Sequence, residues 1–200
     1  MPLSENKIES DYKVSSSSRR NISKIVLLGD SNVGKTCLIE RLVNSTFNPN
    51  YNMTIGVNLI TKRYAIGLDN YQVLVFSDIS GQTRFADIRK SYYMGVEIVM
   101  AVCDLTNRET LNNLENIWIP EFIDSNPVEE GLRTKIQLIG NKVDLKDELE
   151  ISIYDLEETA SRIAYCHPQV SMLKPSLLTS AKEGLYINES FGVPRNVEFS

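Results

Sequence analysis

Gly29 to Thr36 reads GDSNVGKT, so Gly29, Gly34, Lys35 and Thr36 have the spacing Gly-x-x-x-x-Gly-Lys-Thr. Glycines at these places let a loop turn tightly with its backbone N–H groups pointed inward, which suits a phosphate chain. Backbone donors of Ser31, Asn32, Val33, Gly34 and Cys37 would surround that chain. Lys35 would reach its β- and γ-phosphates and neutralise charge that grows during phosphoryl transfer, while the Thr36 hydroxyl would ligate Mg²⁺. A second stretch, Asp78 to Gln82, reads DISGQ. An acid beside a phosphate loop can hold Mg²⁺ through a water, and Gly81 lets its N–H approach a γ-phosphate because no side chain intervenes. Gln82 both donates and accepts, as the orientation of an attacking water requires.

Two later stretches choose the base. In Asn141 to Asp144, NKVD, one carboxylate can accept from both N1–H and the N2 amine of guanine, a donor pair that adenine lacks. Asp144 is that acceptor, and Asn141 serves either the base edge at O6 and N7 or the tie between this loop and the phosphate loop. In Thr179 to Lys182, TSAK, the Ala181 N–H would face O6 and Lys182 would support the base loop. Lys142 and Ser180 fall in the same two loops and are assigned to nucleotide binding with them.

These residues need a scaffold that brings strand ends together. Ile22 to Leu28 is an apolar run that reads as a buried strand, and Leu38, Ile39, Leu42 and Val43 recur at helical spacing after the phosphate loop. Val57 to Ile66 and Tyr71 to Phe76 read as two strands joined by GLDN, a hairpin turn. Helix and strand patterns then alternate: TRFADIRKSYY helical, VEIVMAVCD strand, RETLNNLENIWIPEFID helical up to the loop with Pro127, TKIQLIGNKVD strand, YDLEETASRIAYC helical, and PSLLTSAK a last short strand. Pro120 lies inside the third of these and should kink or shorten it. Six strands, mostly parallel with one antiparallel hairpin and helices between, predict a three-layer α/β fold with its ligand at the carboxyl ends of the strands. The segment NSTFNPNYNMT has little apolar periodicity and reads as a loop free to move.

Composition narrows the classes. A chain of 200 residues suits one domain, and a net charge of −5 argues against a nucleic-acid surface. Cys37, Cys103 and Cys166 each fall in an apolar periodic segment, so buried free thiols in a reducing, cytoplasmic setting are expected. Cys166-His167 lacks the further Cys or His that a zinc site needs. Residues 1–21, polar with a four-serine run, read as a disordered arm, residues 22–191 as the folded domain and 192–200 as a tail. Pro2 excludes glycine myristoylation, and no cysteine near the end offers a prenyl site.

Taken in order, these motifs resemble the Ras superfamily of small GTPases over about residues 22 to 191. GDSNVGKT, FNPNYNMTIGV, GQTRF, SYYMG and NKVD are most similar to the Rab branch. The resemblance implies the P-loop GTPase fold, with Phe47 packed on the guanine ring. It also implies that Thr54 is the first-switch threonine, whose hydroxyl completes the Mg²⁺ shell when GTP is bound. Partners implied are an exchange factor, a GTPase-activating protein and effectors, with the protein itself a monomer and peripheral to membranes through those partners. The chain departs from the family at the second switch, where SDISGQT stands for Trp-Asp-Thr-Ala-Gly-Gln-Glu. CHPQVSMLKP, residues 166–175, reads as an insertion, and the last helix is short. Arg84 reads as a surface residue of the switch rather than a catalytic finger, so hydrolysis of GTP is expected to be slow without a partner. The rival reading is a guanine-nucleotide-bound interaction module that does not hydrolyse; a kinase or ATPase would leave NKVD without a partner edge on adenine.

Overall fold

Alternation along the strands decides which side of the sheet each residue packs on. In a computed structural model, which describes residues 22–49, 54–67, 70–81, 86–126 and 133–193, the first strand β1 (Ile22–Leu28) sends Val26 and Leu28 into one core and Ile25 and Leu27 into another. Strand β4 (Ile98–Asp104) does the same, with Val99, Ala101 and Cys103 on the first side and Met100 and Val102 on the second. A sheet buried on both faces reads as a continuous apolar run, which is why neither strand shows polar alternation.

The sheet order is β2-β3-β1-β4-β5-β6, where β2 is Val57–Gly67, β3 Asn70–Ile79, β5 Lys135–Asn141 and β6 Ser171–Leu178. Only β2 and β3 pair antiparallel; the remaining neighbours are parallel. Helices α1 (Lys35–Asn44) and α6 (Ile187–Ser190) cover one face. On the other lie α2 (Ala86–Tyr93), α3 (Arg108–Asn113), α4 (Ile119–Ser125) and α5 (Ile153–Cys166). The three-layer fold and its single antiparallel pair are as the sequence predicts. Because the chain leaves β1 toward β3 on one side and returns to β4 on the other, the crevice at the carboxyl end of β1 is the place for a ligand.

Pro120 does not break its helix. A π-helical turn, Leu114–Trp118, separates α3 from α4, and the Ile119 N–H donates to the Leu114 carbonyl five residues back. Proline has no N–H to give and crowds the carbonyl four residues earlier; widening the turn by one residue removes that conflict.

Two expectations need correction. The last strand does not begin at Pro175: β6 starts at Ser171 and takes in the second half of the segment read as an insertion. The pairing passes from Gln137–Leu173 to Ile139–Leu177, so two extra residues bulge out of this edge strand around Pro175, which cannot donate to the ladder. The cysteines are not all buried either: Cys103 is, Cys37 is half-buried and Cys166 is exposed. Cys166 is the last residue of α5, past the stripe Leu156, Ala160 and Ile163 that faces the core.

The arm over residues 1–21, Asn50 to Met53 of the first-switch loop, Leu68 and Asp69 of the hairpin turn, Gln82 to Phe85, the loop with Pro127, and residues 194–200 of the tail lie outside the described residues. Among the described residues no helix is long and apolar enough to cross a membrane.

Burial pushes the Cys103 thiol up to about 12. In native protein at neutral pH, Cys166 is therefore expected to react first with a maleimide and Cys103 only after unfolding. Mass spectrometry of timed labelling checks this; Cys166→Ser should abolish the fast phase, and a fast phase that survives the substitution would contradict the placement.

Candidate nucleotide-binding site

The loop between β1 and α1 needs glycine for two different reasons. Gly34 has φ of 96°, and a Cβ there would collide with the Asn141 side-chain amide. Gly81, after β3, is glycine because its backbone lies against the phosphate loop: a Cβ would strike the backbone of Asp30 and Ser31. The close approach expected toward a phosphate is thus in the first place an approach to the loop itself.

Lys35 starts α1 and folds back beneath the loop, its Nζ donating to the carbonyls of Gly29 at 2.8 Å and Asp30 at 2.7 Å. Burial lowers its pKa to about 8, against the opposing pull of Asp78 and Asp30. A phosphate chain in the loop would act in the same direction as those carboxylates and favour the ammonium.

Beside Lys35 three oxygens converge from three elements. The Thr36 Oγ1 donates to Asp78 Oδ2 at 2.5 Å and lies 2.9 Å from Thr54 Oγ1. Asp78 is fully buried, and burial raises its pKa. Its other oxygen, Oδ1, is buried and has no hydrogen-bond partner among the described residues. A buried carboxylate oxygen of this kind, next to two hydroxyls, fits a divalent cation with oxygen ligands. Mg²⁺ suits it, since that ion takes few protein ligands and completes its octahedron with waters and phosphate oxygens.

The base end is built on Asn141, which is 2% exposed at the end of β5. Its Nδ2 donates to the Val33 carbonyl at 2.9 Å, and its Oδ1 accepts from the Thr179 hydroxyl and the Ala181 N–H, each at 3.2 Å. Of the two roles open to Asn141, the structure has the tie to the phosphate loop, and it engages the Ala181 N–H through the same side chain. Asp144 Oδ1 accepts from the Ser180 hydroxyl at 2.5 Å, and Lys182 Nζ lies 4.0 Å from Oδ2. Lys142, at a φ of 70°, turns its ammonium away to Asp104 Oδ2 at 2.5 Å.

A cavity of about 640 Å³ joins the two ends, lined by Ser31, Asn32, Gly34, Lys35, Thr36 and Cys37 from the phosphate loop, and by Phe47 and Thr54. Gly81, Asn141, Lys142, Asp144, Ala181 and Lys182 also line it. Of the remaining residues assigned from the sequence, Val33 is buried beneath the loop, Asp78 is buried behind Thr36, and Ser180 holds Asp144 from behind. Gln82 lies outside the described residues.

Two contributors escaped the sequence reading. Arg41 on α1 donates from Nε to the Ala181 carbonyl at 2.8 Å, from Nη2 to the Lys182 carbonyl at 2.5 Å and from Nη1 to the Ser45 carbonyl at 2.9 Å. It fixes the last loop to the phosphate-loop helix, with its guanidinium 6.0 Å from the centroid of Phe47. A contact between residues 41 and 181 leaves no local pattern. Asp104, which holds Lys142, did leave one: it is an acid at the carboxyl end of a parallel strand, as Asp78 is near the end of β3.

Comparison with known proteins agrees with this geometry. A family model described as the Ras family matches residues 24–192. The chain is 31% identical over 176 residues to the Ypt/Rab-type GTPase YPT7 of Saccharomyces cerevisiae, covering 88% of this chain and 81% of that one. It is 34% identical over 176 residues to the Ras-related protein Rab7 of Pisum sativum, with 88% and 81% covered. To Rab-22A of Mus musculus it is 33% identical over 168 residues, with 84% and 79% covered. With a Gly-x-x-x-x-Gly-Lys-Thr loop, three converging oxygens and the NKVD and TSAK loops at the carboxyl edge of its sheet, the chain belongs to the Ras family, in its Rab branch.

Proposed function

We propose that the protein is a Mg²⁺-dependent GTP/GDP switch that hydrolyses GTP slowly and acts in trafficking or signalling through effectors. The observation that supports this reading is the meeting of Thr36, Thr54 and Asp78, which brings the hydroxyl of Thr54 to oxygens of α1 and β3 that would hold the metal. A loop residue that takes part in the metal shell gives the nucleotide a way to change the shape of the surface.

In this reading Lys35 and the N–H groups of Ser31 to Cys37 bind the phosphates and stabilise charge that develops on them. Thr36 and Thr54 would hold Mg²⁺ directly and Asp78 through a water; when bound, the ion neutralises the β- and γ-phosphate oxygens. Gln82, one residue beyond Gly81, would position the attacking water. Asp144 accepts from the guanine edge, Ser180 and Lys182 hold it in place, and Phe47 covers the ring. Of the second-switch departures, Ser77, Ile79 and Ser80 are buried and bear on packing, while Thr83 lies outside the described residues. Partners would read the edge next to Thr54, where Ile55 is 76% exposed and Leu59 55% exposed. An exchange factor, an activating protein that lends an arginine, and effectors are the partner classes this requires.

Guanine nucleotides are expected to bind at least about a hundredfold more tightly than adenine ones, since losing two charge-assisted bonds at Asp144 costs about 3–6 kcal/mol. Asp144→Asn should shift the preference toward xanthine. Competition calorimetry that finds equal affinity for ATP and GTP would contradict the base assignment.

Single-turnover release of phosphate from GTP-loaded protein tests the chemistry. The expected intrinsic rate is on the order of 10⁻⁴ to 10⁻³ per second. Gln82→Leu should slow it without loosening GTP, and Thr36→Asn should keep GDP bound while weakening GTP and Mg²⁺. No phosphate release even with an activating protein present would favour the non-hydrolysing interaction module.

A further inference from the structure

Asp30, next to the first glycine of the phosphate loop, turns its side chain away from the cavity. Its Oδ1 accepts from the Trp118 indole N–H at 2.7 Å, and its Oδ2 accepts from Asn113 Nδ2 at 2.8 Å. Trp118 closes the π-helical turn that Pro120 imposes, so that turn sets where the indole points. The same ring carries a cation. The Arg89 guanidinium lies 4.7 Å from its centroid, and Arg89 is 2% exposed. Arg89 also pairs with Glu121 at 3.0 and 2.8 Å, and Glu121 Oε1 accepts from the Tyr93 hydroxyl at 2.9 Å. Burial opposes the charge on Glu121, but the hydrogen bonds from Arg89 and Tyr93 outweigh it and hold its carboxyl below the usual range.

Arg89 and Tyr93 are on α2, the helix that follows the second switch. An indole has one donor and two faces. Here the donor is spent on the phosphate loop and the ring on α2. A desolvated Arg over an indole is a strong form of cation–π contact, and its second hold on Glu121 prevents it from sliding along the ring without breaking a bidentate pair. Movement of α2 therefore has to move the indole, and the indole holds Asp30.

We propose that Trp118 is a positioning residue that couples the phosphate loop to α2, so that the nucleotide-dependent position of the second switch alters the loop's grip on the nucleotide. This rests on the switch reading above. Asp30 and Arg89 are linked through the indole, and each side can be altered separately.

Trp118 is the sole tryptophan, so its emission reports directly on the coupling. In wild-type protein the emission should differ between GDP and a non-hydrolysable GTP analogue, and Arg89→Lys should reduce the difference. The rate of GDP release measures the coupling itself. Asp30→Ala and Arg89→Lys should be non-additive by about threefold or more with Trp118 in place, as for linked networks. After Trp118→Phe, which keeps a ring beneath Arg89 but removes the N–H, the two effects should multiply to within about twofold. Identical emission in the two nucleotide forms, or additive effects with Trp118 in place, would overturn the proposal and leave the indole a packing element. Wild-type protein that binds no guanine nucleotide would overturn the switch reading beneath it, and the first titration shows this before any variant is made.

Discussion

One buried amide holds the site together. Asn141 sits at the end of β5 and reaches the phosphate loop after β1 with its donor and the loop after β6 with its acceptor. Three loops far apart in sequence are thereby fixed to one another by groups of a single side chain. The amide nitrogen gives one of its N–H groups to a carbonyl, and the amide oxygen accepts from a hydroxyl and an N–H. Buried amides in a low-dielectric setting cost most when left unpaired, so displacing any one loop exposes the others to that cost. Gly34 belongs to the same constraint, because any side chain there would occupy the space of the amide.

From that joint the two ends of the site take their character. On one side, Lys35 is drawn beneath the loop by two carbonyls and is ready to meet anionic oxygen rather than water. On the other, Asp144 is aimed by Ser180 and flanked by Lys182, while Arg41 ties the carbonyls of Ala181 and Lys182 to α1. The helix that follows the Gly29–Thr36 loop therefore also holds the loop after β6 in place. Thr54 differs from all of these, because it comes from the segment before β2 and meets the site at the oxygens around Thr36.

Much of this was legible in the sequence because the informative residues sit at strand ends and act through their own backbone or tip atoms. The phosphate loop, NKVD and TSAK are local patterns, and apolar runs located the six strands between them. Helix boundaries shifted where a local rule met a tertiary solution, as with Pro120, whose conflict with the helix was resolved by a π-turn rather than a break. From its sequence the last strand reads from Pro175 onward, whereas a bulge at the sheet edge accommodates the proline and lets β6 start at Ser171. What could not be read were the contacts that bridge elements: Arg41 to Ala181, Trp118 to Asp30, Arg89 to Glu121. Arg41, Trp118 and Arg89 are ordinary polar or aromatic residues on helical turns, and the role of each exists only once packing brings its partner to it.

The central claim is that the nucleotide decides the state of the segments around Thr54 and Gly81. A ligand can shift a conformational equilibrium only through contacts present in one state and absent from the other. In the proposed switch, a γ-phosphate and a full Mg²⁺ shell would supply such contacts to the Thr54 hydroxyl and the Gly81 N–H. Amide hydrogen exchange on protein loaded with GDP or with a non-hydrolysable GTP analogue measures this directly. Slower exchange from Thr54 to Gly56 and at Ser80 and Gly81 in the analogue-bound form, with β1 and β4 unchanged, is the predicted result; equal protection in both forms would contradict a switch and leave a guanine-nucleotide-binding scaffold.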